Sequence, residues 1–296
     1  KFTLKACHLN HCLRPEAPAE QAWVAEVCAR LGVEFHGRVA DVAALAAQSR
    51  VGLEEAGRNA RLAMFKELAA PDNAFIATGH TLNDLGEDVL MRLLRGSGWP
   101  ALAGMDRFHP GLRLLRPLLF TPRAELAAFL ERLGLPHLED KSNAEPDFLR
   151  NRLRLEVVPL LLRENPGWLE QVRALKCLAE VDTQYWQDET NALPPRIFTE
   201  ADDKPGLPGL DAEKKALFLA REQLRSAHKA LRLRLFMRCV SELGGGQALA
   251  DNLFALDAAW SEGPGASRNG KIIQLPGDVR ALLAREGIWF YFQKRN

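Results

Sequence analysis

The spacing of apolar and polar positions changes period repeatedly along the first half of the chain. Apolar residues at 2, 4 and 6 predict a short strand over 2–8. Trp23, Val24, Val27, Cys28 and Leu31 share one helical face and predict a helix over 17–31, with Gly32 where a left-handed cap belongs. A second strand is expected over 33–39, helices over 41–49 and 53–70, a turn at Pro71-Asp72-Asn73, a compact apolar strand over 74–78 and a helix over 82–95. Strands alternating with helices imply a parallel sheet with helices on both faces. The pattern then changes. Gly96-Ser97-Gly98 breaks the chain, 112–119 reads as extended, and 122–133 reads as a helix with proline in its first turn. From about 148 the spacing is mostly helical, over 149–162, 168–186 and 214–243, around a Pro/Gly/Asp-rich linker at 193–209. Turns at Gly263-Pro264-Gly265 and Pro276-Gly277, an extended 271–275 and an aromatic strand at 288–292 suggest a terminal β-hairpin. The expected organisation is an α/β domain over 1–160 and a mostly helical domain over 161–296.

Composition narrows the class. With 47% hydrophobic and 26% charged residues in 296, the chain can bury a proper core. No apolar run approaches the roughly 18–20 residues that span a bilayer, and no secretory leader is visible, so no membrane partner is expected. The five cysteines (7, 12, 28, 177 and 239) are odd in number and form no C-x-x-C pair. That argues against a disulfide framework or a cysteine-built cluster and for free thiols in a reducing cytoplasm. A net charge of +1 means that any nucleic-acid surface must be a local one. The chain opens at Lys1, directly into a strand-like run, and reads like a protein whose beginning has been removed.

Several clusters carry candidate chemistry. His8-Leu9-Asn10-His11 follows a predicted strand, where open α/β sheets bind ligands; a solvated loop is the plain alternative. His80, Asp84 and Glu87 follow another strand and open a helix. The two acids, three apart, either hold a metal ion or cationic substrate or simply favour the helix dipole. Arg58 and Arg61 form a positive helical step, with Glu54–Arg58 as its surface-pair alternative. Arg92 and Arg95 beside Gly96 and Gly98, with Arg113 and Arg116 downstream, suit phosphate; a cation-rich helix end explains the first group equally well. Arg150 and Arg154 share a helix face while Arg152 points elsewhere. Arg225, Lys229, Arg232 and Arg238 lie on a C-terminal helix with few acids nearby, a pattern that is more often a solvated face than a phosphate track.

Read in order, HLNHCLR, GLEEAGRNAR, ATGHTLNDLGEDVLMRLLRGSG, LAGM, RPLL, DKSN and FLRNRLRLEVVPLL resemble the tRNA(Ile)-lysidine synthetase family, over residues 8–162. The resemblance implies an N-type ATP pyrophosphatase fold, like that of adenine nucleotide alpha hydrolases. It implies that the wobble cytosine of a CAU anticodon is adenylated by ATP with Mg2+, and that the ε-amine of free lysine then displaces AMP. By resemblance, Asp84 and Glu87 face the lysine, with Asp84 as a suggested proton acceptor. His8, Asn10, Arg61, His80 and Arg116 face ATP, His80 sharing in catalysis. Arg95, Arg113, Arg150, Arg154, Arg225, Lys229 and Arg232 are assigned to tRNA phosphates, Arg150 and Arg154 serving ATP or tRNA. No metal ligands are assigned, and a homodimer is compatible with the family.

The departures are specific. The family's S-G-G-x-D-S phosphate loop is absent from the 296 residues, which implies a chain that lacks its first strand and PP-loop, and impaired ATP binding if Lys1 is its true start. Asn83 stands where the family usually has Asp, Leu85 where it has Gln, and Gly57 and Leu62 where it has Ala and Tyr. Two other readings stay open: a tRNA thiolase on the same core, against which the missing C-x-x-C counts, and a non-catalytic tRNA-binding relative, which the missing loop motivates. In every version built on the resemblance, the acids at 84–87 and the arginines at 150–154 must share one cleft.

Overall fold

A computed structural model describes residues 3–135, 138, 149–199, 207–211, 214–244, 250–261 and 270–293. The D-K-S-N segment at 140–143, Phe148 and the turn at 263–265 lie outside them. The chain divides into two compact units, 1–97 with 102–175 and 98–101 with 176–296, so the expected boundary at 160 falls inside the first unit. Among the described residues no helix is long and apolar enough to cross a membrane.

The first unit is parallel α/β. Strand β1 (Lys5–Asn10) leads through helix α1 (Ala17–Arg30) to β2 (Glu34–Val39), and β1 and β2 pair in parallel from Lys5↔Glu34 to Asn10↔Val39. Helices α2 (Val42–Ser49) and α3 (Leu53–Ala69) follow; Asp41 caps α2 by accepting from the Ala44 N–H at 2.9 Å. Strand β3 (Ile76–Ala77) leads into α4 (Leu82–Leu94), then β4 (Phe108–His109) and β5 (Leu114–Leu115). β3 pairs with β5 in parallel and β4 with β5 antiparallel, so the described strands form two small sheets, and the extended stretches expected at 74–78 and 112–119 shrink to two residues each. α5 (Arg123–Arg132) starts just after Pro122, which stands at the cap rather than in the first turn. α6 (Leu149–Arg152) runs through a π-helical segment, Leu153–Val157, into α7 (Val158–Glu164) and α8 (Trp168–Ala192). Leu82, Leu85 and Leu119 pack against Val172 and Trp168, which fixes α4 in place. Gly86 permits this approach: a Cβ there would lie 2.8 Å from the Trp168 ring.

The second unit is mostly helical, as expected, but carries more strands than a terminal hairpin. It holds an antiparallel sheet in the order β6-β7-β10-β9-β8, built from β6 (Arg196–Phe198), β7 (Ala216–Ala220), β8 (Lys271–Gln274), β9 (Val279–Leu283) and β10 (Gly287–Phe292). Helices α9 (Arg221–Ser226), α10 (Lys229–Glu242) and α11 (Ala250–Ser261) belong to it, and Leu235, Phe236, Val240, Leu256, Ile288 and Phe290 form its core. The helix expected over 214–243 fails at β7. Ala216, Leu217 and Leu219 are fully buried in a strand flanked on both sides, and a short apolar run of that kind carries no period to distinguish it from a buried helix. The terminal hairpin is present as β9–β10, extended by β8 and β7.

Candidate active site

Helix α4 builds the acidic half of the site. Thr81 and Asp84 form a reciprocal capping box: Asp84 Oδ2 accepts from the Thr81 N–H at 2.8 Å and from its hydroxyl at 2.7 Å, while Thr81 Oγ1 accepts from the Asp84 N–H at 3.4 Å. One helical step on, Glu87 is 2% exposed. A carboxylate so dehydrated persists as an ion only with strong partners. It has two. Arg150 Nε donates to Glu87 Oε2 at 2.7 Å; Arg154 donates through Nε to Oε1 at 2.7 Å and through Nη2 to Oε2 at 2.9 Å. Asp84 Oδ1 meanwhile receives Arg150 Nη2 at 2.8 Å and Arg154 Nη2 at 3.4 Å, with Arg123 Nη2 at 3.6 Å. Arg154 lies on the π-helical segment, whose wider i→i+5 turn accompanies its alignment with Arg150 toward α4; such segments recur at functional sites.

The sequence therefore grouped Asp84, Glu87, Arg150 and Arg154 as neighbours, and the structure joins them directly. The carboxylates expected to face a lysine ammonium, and the arginines expected to face phosphates, are occupied with one another. Asp84 suits proton removal poorly: burial opposes its charge, but the Thr81 hydrogen bonds and the charges of Arg150 and Arg123 outweigh it and hold its carboxyl below the ordinary value. Arg123 was not foreseen, because its closeness to Asp84 spans 39 positions. Asn83 explains that closeness. Its Oδ1 accepts from the Arg123 N–H at 2.9 Å, capping α5 from another helix. At position 83, where the family usually has Asp, the side chain in this chain is a cap.

The basic half gathers at the carboxyl ends of β1 and β3. Burial lowers the pKa of His80, Arg116, Arg150 and Arg61 lower it further, and only Asp84 raises it, so its imidazole is neutral at pH 7. His80 Nδ1 meets Thr78 Oγ1 at 2.8 Å. Burial and Arg61 lower His8 against the pull of Glu20, and burial, Arg61, His8 and Arg14 lower His11. Arg116 is disfavoured as a cation by burial, Arg58 and Arg92, with Asp106 and Asp88 opposing; its Nη1 donates to the Asp106 carbonyl at 2.6 Å. The Nε atoms of Arg113 and Arg116 are buried with no hydrogen-bond partner in the structure. Mutually repelling cations with orphaned donors suit a polyanion. Gly57 contributes by its lack of a side chain, since a Cβ there would stand 2.8 Å from the His11 ring. Asn10 fits an ATP-facing role less well: it is buried, and its Oδ1 accepts from the Cys12 N–H at 2.9 Å.

The remaining arginines part company. Arg95 is exposed at the end of α4, and Arg113 stacks on Phe75 at 4.3 Å. In the second unit, Arg225 is exposed on α9, whereas Arg232 on α10 donates from Nε and Nη2 to Asp257 at 2.7 and 3.2 Å and from Nη1 to the Ala227 carbonyl. Lys229 lies 3.8 Å from the same Asp257, and Arg238 pairs with Glu242. The expected run with few acids nearby is corrected: Asp257 arrives from α11, 25 positions beyond Arg232. Among the described residues no three His, Cys, Asp or Glu side chains converge as a metal site, and the oxygens of Asp84 and Glu87 are taken by arginines. A protein-built Mg2+ site does not fit these residues.

The family model described as a PP-loop domain matches residues 1–161. That match conflicts with the expectation that the PP-loop is absent: these residues are similar to the PP-loop domain from the first position onward, although the S-G-G-x-D-S string does not occur in them. The chain is 45% identical to a tRNA(Ile)-lysidine synthase of Nitratidesulfovibrio vulgaris, over 90% of this chain and 78% of that protein. It is 36% identical to one from Geobacter sulfurreducens, over 87% of this chain and 53% of the relative, and 33% identical to one from Dehalococcoides mccartyi, over 83% and 51%. The chain thus spans about half the length of the latter two. Among solved structures, the U34-tRNA thiolase NcsA from Methanococcus maripaludis with its 4Fe–4S cluster matches at 19% identity and a TM-score of 0.48, over 60% of this chain and 63% of that one.

Proposed function

The chain belongs to the PP-loop family and, within it, to the tRNA(Ile)-lysidine synthases, and from that premise we propose that it is a tRNA-modifying ligase. It adenylates the wobble cytidine of a CAU-anticodon tRNA(Ile) with ATP and couples free lysine to the activated base, releasing AMP and pyrophosphate. The observation that carries the reading is a buried carboxylate pair, Asp84 and Glu87, close to a cationic patch, so that His80 feels the charges of Arg116 and Arg61 as well as those of Asp84 and Arg150.

The chemistry asks for both halves. A cytosine carbonyl oxygen leaves poorly, and adenylation makes it a good leaving group. Arg61 and Arg116 supply positive potential for the triphosphate, where fixed cations stabilise charge that develops as pyrophosphate departs, and the imidazoles of His8 and His11, kept from charging by burial and Arg61, offer hydrogen bonds beside them. Mg2+, if used, would be carried chiefly by the phosphates of ATP, as it commonly is. Lysine arrives as an ammonium and must lose a proton before it attacks. Asp84 and Glu87 are its carboxylate partners. Neutral His80 is a better proton acceptor than Asp84, whose carboxyl is held below the ordinary carboxylate value. Arg95 and Arg225 are the exposed tRNA-facing cations, and the second unit is proposed as tRNA-binding.

Incubation with a CAU-anticodon tRNA(Ile) transcript, ATP and labelled lysine tests the reading. Label in the tRNA that depends on ATP supports it; a folded preparation that incorporates sulfur instead, or nothing, overturns it.

A further inference from the structure

Three guanidinium groups, from Arg123, Arg150 and Arg154, press on the two carboxylates of Asp84 and Glu87. An incoming ammonium has to compete for those oxygens with the arginines already on them. The carboxylates cannot turn away to meet it, because Asp84 is held by Thr81 and Glu87 is enclosed. The arginines can move, being anchored on α6 and the π-helical segment by long side chains. Guanidinium forks also bind phosphate oxygens as readily as carboxylates.

We infer that Arg150 and Arg154 are positioning residues that exchange counter-ions: in the free protein they hold Asp84 and Glu87, and when a polyphosphate occupies the neighbouring cationic patch they turn to it and release the carboxylates to the lysine ammonium. The patch is near, since the same imidazole, His80, feels the charges of Arg150, Arg116 and Arg61 alike. The inference rests on the proposed assignment of lysine to Asp84 and Glu87. Its consequence is an order of events. The amine is bound well only after the phosphate-bearing substrate is in place, so lysine binds after ATP. Linkage makes the effect reciprocal: lysine must tighten polyphosphate binding by the same factor.

Equilibrium dialysis of labelled L-lysine against the full chain, with and without inorganic pyrophosphate, tests it. Lysine is expected to bind about tenfold more tightly with pyrophosphate present, within the usual range of coupling. L-norleucine, which lacks the ε-amine, should show no such gain. In Arg150→Gln, lysine should bind without pyrophosphate and the coupling should shrink; Arg150→Lys should restore part of it. Equal lysine affinity with and without pyrophosphate, in wild-type protein that still forms lysidine, overturns the exchange while leaving the proposed activity standing. Absence of lysidine formation would instead fell the functional reading itself.

Discussion

Arg154 holds Glu87 with two parallel hydrogen bonds, Nε to Oε1 at 2.7 Å and Nη2 to Oε2 at 2.9 Å, across 67 positions of sequence. This enclosed bidentate pair joins α4 to the π-helical segment in the free protein. It places two carboxylates and two guanidinium groups within hydrogen-bond distance at one point of the first unit. Its energetic signature is asymmetric, because removing one ion strands the other.

Arg154→Ala should therefore cost about 3 kcal/mol of stability, the low end for a broken buried pair, since Arg150 still serves Oε2. Exchanging both residues, as Glu87→Gln with Arg154→Met, should recover most of that loss while abolishing activity. Urea unfolding followed by circular dichroism reads the first, and lysine incorporation the second.

Acid should remove activity before it unfolds the protein. His80 has a pKa lowered from 6.5, so it is neutral from that value upward and becomes charged only as the pH falls through its lower folded value. Its contribution to stability has the same sign: complete above 6.5 and lost on acidification. Asp84, held below 3.8, loses its contribution only at still lower pH. A pH–rate profile should be flat near neutrality with an acid limb that disappears in His80→Gln.

Asn83→Ala should destabilise the first unit by about 1 kcal/mol, the usual cost of a lost helix cap. Asn83→Asp keeps an acceptor oxygen and should be nearly neutral. Thermal melts of the two variants separate a capping role from a ligand role, in which Asp would differ from Asn in activity and not in stability.

Gly57→Ala sets two effects against each other. Alanine favours the helix by about 1 kcal/mol, yet its methyl group must displace His11. The expected outcome is weaker ATP binding with little or no loss of stability, measured by calorimetric titration and melting.

Arg225 and Arg232 should behave oppositely. Arg225→Glu should weaken tRNA binding and flatten its salt dependence by roughly one phosphate contact. Arg232→Ala should lower stability, because Asp257 is left buried and, among the described residues, paired with the exposed Lys229 alone, and should leave the salt slope unchanged.

Much of this was legible in the residues. The helices at 17–30, 53–69 and 82–94 follow their apolar spacing closely, and the family resemblance required the acids at 84 and 87 and the arginines at 150 and 154 to share one cleft. What the sequence hid was non-local. Nothing near Arg232 announces Asp257, nothing near Asn83 announces the start of α5, and the buried strand at Ala216–Ala220 has no alternation to read because both its faces are covered. Opposite charges grouped in sequence were assigned to two ligands, whereas in the folded chain they first satisfy each other.

The most direct test follows AMP rather than lysine. Glu87→Gln, refolded or stabilised if needed, is given tRNA and ATP labelled in its α-phosphate. The variant should still move labelled AMP onto the tRNA, and added lysine should fail to discharge it. Discharge of the adenylated tRNA by lysine at the wild-type rate would contradict the assignment of the amine to the Asp84–Glu87 pair.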